Sequence, residues 1–285
     1  MKICRFDDNR LGLVEGDVVR DVTVALEILP AHTYPFPRYD LLVANLPALV
    51  DRINALKSDA EVLPLSSVRL LSPVANPGKV IAAPVNYQKH LKEVLDDPNL
   101  HHDNQINHIE RAGLFLKATS SVVGASEGVA LRKLDRRNDH EVELAVVIGK
   151  RAANVSRADA LNYVAGYCIG LDITIRGPEE RSFRKSPDTY TVFGPWLVTA
   201  DEITEPGKLD FSIAVNGEIR QQSNTADLIL GVEQLIEFAS GFYTLEPGDI
   251  IITGTPEGVA SIKPGDKMLA RMEGIGEMAV AVRAA

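Results

Sequence analysis

The segment HEVELAVVIGK at 140–150 most limits how this chain can fold. Its run LAVVIG is apolar on both strand faces, the pattern of a strand covered on both sides. Side chains alternate along a strand, so Glu141 and Glu143 share one face, with α-carbons ~6.5–7 Å apart. A bare buried carboxylate is costly, so the pair requires a cation, a metal ion or solvent. Two readings stand: the solvated edge of a strand, or one wall of a cation site. Asp172 closes a second apolar run, YCIGLD, and Thr174 and Arg176 follow it. Three carboxylates converging from strand ends would offer oxygen ligands to a hard cation, Mg²⁺ or Mn²⁺. His140 points to the opposite face and falls outside that set.

The rest of the chain surrounds these strands with mixed signals. MKICRF, LGLVEG and VVRDVTVAL are short and β-rich, and 41–57 carries helical apolar spacing. SPVANPGKV (72–80) is rich in Pro and Gly and marks a boundary. This divides the chain into a small N-terminal α/β domain over 1–72 and a larger domain over 73–285. In the second unit, Arg157 to Tyr163 reads as helix and VAGYCIGLDIT as a buried strand. FSIAVNGEIRQ reads as a hairpin, because Asn216-Gly217 suits a type I′ turn. PGD recurs at 247–249 and 264–266, each time before an apolar strand. GVEQLIEFASGF (231–242) reads as a helix ending near Gly241. The expected class is α+β with a strand-dominated core.

Charge removes several functions. Thirty basic and thirty-nine acidic residues leave −9, which disfavours nucleic acid and anionic membrane as partners. Small anionic substrates need only a local positive site and stay open. No segment reaches the ~18 apolar residues of a spanning helix. The start, MKICRFDDNRLG, lacks the apolar core of a secretion signal. Cys4 and Cys168 lie in apolar surroundings without a CxxC partner, as expected for reduced thiols of a cytoplasmic protein. GTPEGV lacks the GxxxxGK[ST] pattern of a nucleotide loop, so its glycines are read as shaping a tight loop that presents Thr255.

PVNYQKHLKEVLDD (84–97) opens on Pro and Asn and then turns helical. His90 and Glu93 are three apart and meet on one helix face. They form either a surface ion pair or an imidazole oriented by a carboxylate to act as a general base. HHDNQINHIE, with His101, His102 and His108, reads as a mobile polar loop, with zinc as the minor alternative. Tyr87 is placed either at the pocket wall or in packing, and Trp196 in packing.

Taken in order, NYxxHxxE (86–93), FLK (115–117), the ExE strand and LDITIR (171–176) lead to RKSPDTYTVFGPWLV (184–198). VNGEIRQ (215–221) and TLEPGDIIITGTPEGV (244–259) complete a pattern that resembles the fumarylacetoacetate hydrolase family over about 73–285. The resemblance implies a mixed β-roll and a homodimer with Mg²⁺ or a similar ion. It implies metal ligation by Glu141, Glu143 and Asp172, and a lid-helix dyad of His90 and Glu93. Lys185 falls on the catalytic lysine of a GKS-like segment. Lys117, Thr255, Arg176 and Tyr87 are the expected substrate-binding positions. The chain departs from the family after Asp172, where Gly177 stands in place of an acidic residue and no Gln follows. Arg181 or Arg184 is the replacement considered for a carboxylate contact.

The implied activity is metal-dependent cleavage of a carbon–carbon bond in an acylpyruvate-type β-diketo acid, a small anionic 2-oxo acid, through an enolate held by the metal. Decarboxylation of oxaloacetate, or isomerisation or hydration of a 2-oxo-dienoic acid in aromatic catabolism, is the alternative. A catalytically weak binding protein is disfavoured, because His90, Glu93 and the three carboxylates are all present.

Overall fold

The computed structural model describes residues 1–101 and 108–285, except the side chain of His101. The zinc alternative at His102 and most of the mobile-loop expectation lie outside the described residues. What flanks them is helical, Pro98–His101 before and Ile109–Ala112 after.

Among the described residues, twelve strands form one sheet, with a five-stranded and a three-stranded sheet beside it. The middle of the large sheet is Thr191–Thr199, Val164–Asp172, Val142–Ile148 and Ile250–Ile252, each antiparallel to the next. Val80–Ala82 continues it in parallel, followed by Phe115–Lys117. The fold is strand-dominated α+β, as the sequence pattern implied.

Alternation along Val142–Ile148 feeds two separate cores. Val142, Leu144, Val146 and Ile148 pack into one, which also takes Val232, Leu235, Ile236 and Ala239 of helix Val232–Phe242. Ala145 and Val147 pack into the other, with Leu46, Leu49 and Ile53 of helix Leu46–Leu56. Both faces are covered, so the strand is apolar at every position from Leu144 to Ile148. Ile3, Leu11 and Leu13 belong to the second core. Strand Lys2–Phe6 hydrogen-bonds to Thr191–Thr199 in the register Ile3↔Leu197, so the leading residues extend the same sheet.

HEVELAVVIGK is not one uninterrupted strand. Asn138–His140 belongs to the three-stranded sheet and Val142–Ile148 to the large one. The chain crosses between sheets at Glu141. Its neighbour crosses at the same level, as Val164–Asp172 leaves the large sheet and Thr174–Ile175 pairs with Asn138–His140. VVRDVTVAL also differs. Strand Val18–Asp21 is followed by the 3₁₀ helix Thr23–Ile28. The Asp21 carboxylate accepts from the Thr23 amide at 3.0 Å, a local side-chain bond that overrides the β-branched composition.

The hairpin forms as expected, Asp210–Val215 against Glu218–Asn224, with φ of +52° at Asn216 and +86° at Gly217. Gly124 shows a close approach instead. It lies opposite Phe193, and a Cβ there would sit 2.2 Å from the Leu71 carbonyl carbon and 2.3 Å from its Cα. Both obstacles are main chain and cannot rotate away. Gly124→Ala is therefore expected to destabilise the protein by about 1–3 kcal/mol. In a chain of this size that lowers the melting temperature by about 2–4 °C per kcal/mol. An unchanged thermal melt would contradict this.

Candidate active site and metal centre

Glu141 and Glu143 share their strand face with Ala145 and Val147, so the second core continues along that face until it meets the carboxylates. Asp172 is in register one strand over, on the face of Cys168 and Gly170, and Gly170 lies directly opposite Glu143. The three residues are 4%, 2% and 2% exposed, so they are not a solvated strand edge. Carboxylate oxygens of all three lie within 4.8 Å of one another. Among the described residues, no other group of three His, Cys, Asp or Glu side chains meets this way.

The charges around them are unevenly distributed. The Lys185 ammonium donates to Glu141 (2.6 Å), Asp172 (2.7 Å) and the Thr174 hydroxyl (2.6 Å), which commits all three of its protons. Arg176 donates to Glu141 at 2.7 Å and to Asp139 at 2.8 Å. Burial pushes the Glu141 carboxyl up, but Lys185, Arg176 and His90 outweigh it and hold the group well below the carboxylate range. Glu143 goes the other way. Burial, then Asp172 and Glu141, push it well above that range, and its hydrogen bond is to the Gly254 amide, at 2.5 Å. A buried oxygen cluster in which one member lacks its own cation fits a hard divalent ion.

Helix Gln88–Asp96 covers the site. His90 is 4% exposed, and its Nδ1 lies 2.7 Å from Glu93 Oε2. Glu93 Oε1 accepts from the Gly258 amide at 2.9 Å, which ties the helix to the loop after strand Ile250–Ile252. His90, Glu141, Glu143, Asp172, Arg176, Lys185 and Thr255 all line one narrow cavity of about 60 Å³. Arg181, Arg184 and Phe115 also line it.

Two expected contacts sit elsewhere. Lys117 is buried behind Asp172, donating to its carboxylate and to the Tyr190 carbonyl. It touches a carboxylate of the cluster and does not line the cavity. Tyr87 packs edge-on against Phe211 at 6.2 Å, and its backbone bridges to Leu228, so it too lies off the lining. His140 sits across the strand from the carboxylates, its Nδ1 3.1 Å from Gln221 Oε1. Burial pushes the Cys4 and Cys168 thiols up to about 12, which keeps both inert.

Composition and spacing did not reveal three supporting residues. Gln221 accepts from the Val142 amide at 3.2 Å and donates to Thr255 and the Pro256 carbonyl at 2.8 Å each. Asn86 donates to the carbonyls of Leu230 and Thr253 at 2.9 Å. Asp139 fixes Arg176. Gly254 has φ +97°, and a Cβ there would meet the Asn86 Cβ at 2.7 Å. The loop can therefore aim its amide at Glu143 only with glycine.

A family model described as fumarylacetoacetate (FAA) hydrolase C-terminal matches residues 79–283. A maleylpyruvate hydrolase from Aquipseudomonas alcaligenes is 64% identical over 285 residues, 99% of each chain. The crystal structure of a maleylpyruvate hydrolase from Sphingobium sp. SYK-6, in complex with manganese(II) and pyruvate, superposes with a TM-score of 0.85. It has 38% identity and full coverage of both chains. The mitochondrial oxaloacetate tautomerase Fahd2a of Rattus norvegicus is 36% identical over 235 residues, 78% of this chain and 72% of its own.

Proposed function

The chain belongs to the fumarylacetoacetate hydrolase family, and from that premise we propose that it is a metal-dependent hydrolase of acylpyruvate-type β-diketo acids. It cleaves a carbon–carbon bond and releases pyruvate and a carboxylic acid. The observation that carries this is the His90–Glu93 pair lining one cavity with three buried carboxylates. The maleylpyruvate hydrolase relative, similar along the whole chain, supports the substrate class.

Glu141, Glu143 and Asp172 would hold the ion, which supplies Lewis-acid polarisation of the 2-oxo group and balances charge that develops there. Magnesium is the proposed physiological metal, with manganese as its equivalent, because the donors are all hard oxygens. Glu93 holds the Nδ1 side of His90, which leaves Nε2 to take a proton from water. The resulting hydroxide attacks the carbonyl remote from the pyruvate end. The electron pair of the broken bond passes to the leaving pyruvate as its enolate, which a proton then quenches. Lys185 and Arg176 keep positive charge beside that end of the cavity. Thr255, held by Gln221, closes the floor. Lys117 and Tyr87 support the site from behind it.

We further propose 73–285 as the catalytic unit and 1–72 as the leading unit, in line with the family match at 79–283. A homodimer rests on family analogy. A cytoplasmic setting is supported by the two buried thiols, and no helix among the described residues is long and apolar enough to cross a membrane.

Assays with an acylpyruvate, oxaloacetate and a 2-oxo-dienoate, each with Mg²⁺, Mn²⁺ or EDTA, test this function. Acylpyruvate hydrolysis is expected to lead, to fall at least ~100-fold in EDTA and to return with either metal. Turnover indifferent to EDTA would overturn the assignment. Preference for oxaloacetate or the dienoate would move it to decarboxylase or isomerase.

A further inference from the structure

Across the strand from the carboxylates lies a buried histidine that the mechanism does not use. His140 and Gln221 are 0% and 1% exposed. The Gln221 amide cannot be turned round, because main-chain groups of fixed polarity hold both its ends. The Val142 N–H donates to Oε1 at 3.2 Å, and Nε2 donates to the Pro256 carbonyl at 2.8 Å. Oε1 is therefore an acceptor toward His140 Nδ1, 3.1 Å away, and that nitrogen carries the proton. His140 Nε2 is buried and, among the described residues, has no hydrogen-bond partner. A second proton there would be an orphaned donor, so the ring is the Nδ1–H tautomer.

The same polarity runs on into the site. Gln221 Nε2 also donates to Thr255 Oγ1 at 2.8 Å, and Thr255 gives its hydroxyl proton to the Val142 carbonyl at 3.0 Å. A hydroxyl has one proton and two lone pairs, so Thr255 keeps a single free lone pair and nothing to donate. Thr255 and His90 line one cavity. We propose that His140 is a positioning residue: by holding Gln221 Oε1 it sets the place and polarity of the Thr255 hydroxyl, making it an acceptor for an O–H group. This rests on the hydrolase function above, which supplies such a group. The water that gives one proton to His90 carries a second, and Thr255 accepts a hydrogen bond from it while the water attacks. The chain His140–Gln221–Thr255 thus orients the nucleophile, and its loss falls on kcat rather than KM.

The tautomer is read first, from the ring nitrogens of ¹⁵N-histidine-labelled wild-type protein with Mg²⁺, by long-range proton–nitrogen correlation. His140 is expected to show a protonated Nδ1 and a bare Nε2, its signal identified by its loss in His140→Asn. The reverse tautomer overturns the proposal. Next, kcat, KM and Mg²⁺ affinity by calorimetry are compared for wild type, His140→Leu and His140→Asn, with the acylpyruvate that tests the function above. His140→Leu is expected to lower kcat ~10–100-fold, the scale of misplacing a reacting group by about 1 Å, with KM and Mg²⁺ affinity little changed. His140→Asn, whose amide N–H can stand where Nδ1–H does, should recover most of the loss. Thr255→Val closes a double-mutant cycle: added to it, His140→Leu should cost less than about twofold more. Additive losses, or a loss confined to KM, overturn the role. So does a fall in Mg²⁺ affinity as large as the fall in kcat, which would place the effect of His140 at Glu141. Wild type that hydrolyses no acylpyruvate overturns the hydrolase function and this role with it, and needs no variant to be recognised.

Discussion

Replacing Glu143 with glutamine is expected to abolish tight divalent-cation binding while raising the melting temperature of the metal-free protein. The two effects have one cause. Burial, Asp172 and Glu141 all oppose charge on Glu143 and outweigh Lys185 and the Gly254 amide, which favour it. Under the proposed function, the native fold carries that burden for the sake of the cation. A glutamine keeps the shape, can accept from Gly254 through its carbonyl, and donates toward the neighbouring carboxylates.

Outer-shell changes around metal ligands already cost ~10–100-fold in affinity, so loss of a ligand charge should exceed ~100-fold by calorimetry. Relief of about 1 kcal/mol corresponds to a rise of about 2–4 °C in a chain of this size. The pH dependence gives a second check. Because the folded pKa of Glu143 is raised, the metal-free native state binds the extra proton. Its stability is present below the ordinary glutamate range and is lost as pH rises through the folded value. Glu143→Gln removes that slope. A variant that melts lower and still binds Mg²⁺ normally would show that Glu143 is a structural carboxylate.

His90→Ala is expected to lower kcat for acylpyruvate hydrolysis by ~10²–10⁴-fold, the usual contribution of a positioned general base. This corresponds to about 2.7–5.5 kcal/mol of barrier. Metal affinity should change less than about threefold, since His90 contributes to Glu141 only third after Lys185 and Arg176 among the nearby charges. Glu93→Gln should fall between His90→Ala and wild type. It keeps a group that can accept from Nδ1 but weakens both that bond and the one from the Gly258 amide. Stopped-flow measurement of single turnovers separates this from slow product release. Full turnover in His90→Ala would remove the imidazole from the chemistry.

The parts of this site legible in the sequence are those with a periodic signature. Glu141 and Glu143 interrupt an apolar strand at a spacing of two, and His90 and Glu93 share a helix face at a spacing of three. Asn216-Gly217 marks its turn by dipeptide alone. Gln221, Asn86 and Asp139 left no such mark, because they act on main-chain atoms or charges 34 to 167 positions away. A residue that bonds a distant carbonyl looks like any other polar residue in a linear pattern. Lys117 was assigned to substrate through FLK, but its place in a three-residue strand turns it inward, to Asp172. The end of VVRDVTVAL read as β-rich by composition, and the Asp21–Thr23 bond turns it into the 3₁₀ helix instead.

The crossing of two strands between sheets at Glu141 and Asp172 bears on how such a protein can diversify. The spacing of the carboxylates is set by backbone register between neighbouring strands, so it is inherited with the sheet. The rest of the lining is different in kind: Arg181 and Arg184 lie on a five-residue helix, and His90 on another short helix outside the sheets. Drift in those segments can exchange one acyl arm for another, or hydrolysis for a reaction without water, while the ligand geometry stays fixed. Substrate range and cation geometry are thus separately mutable, and lineages can explore the first without passing through forms that have lost the second.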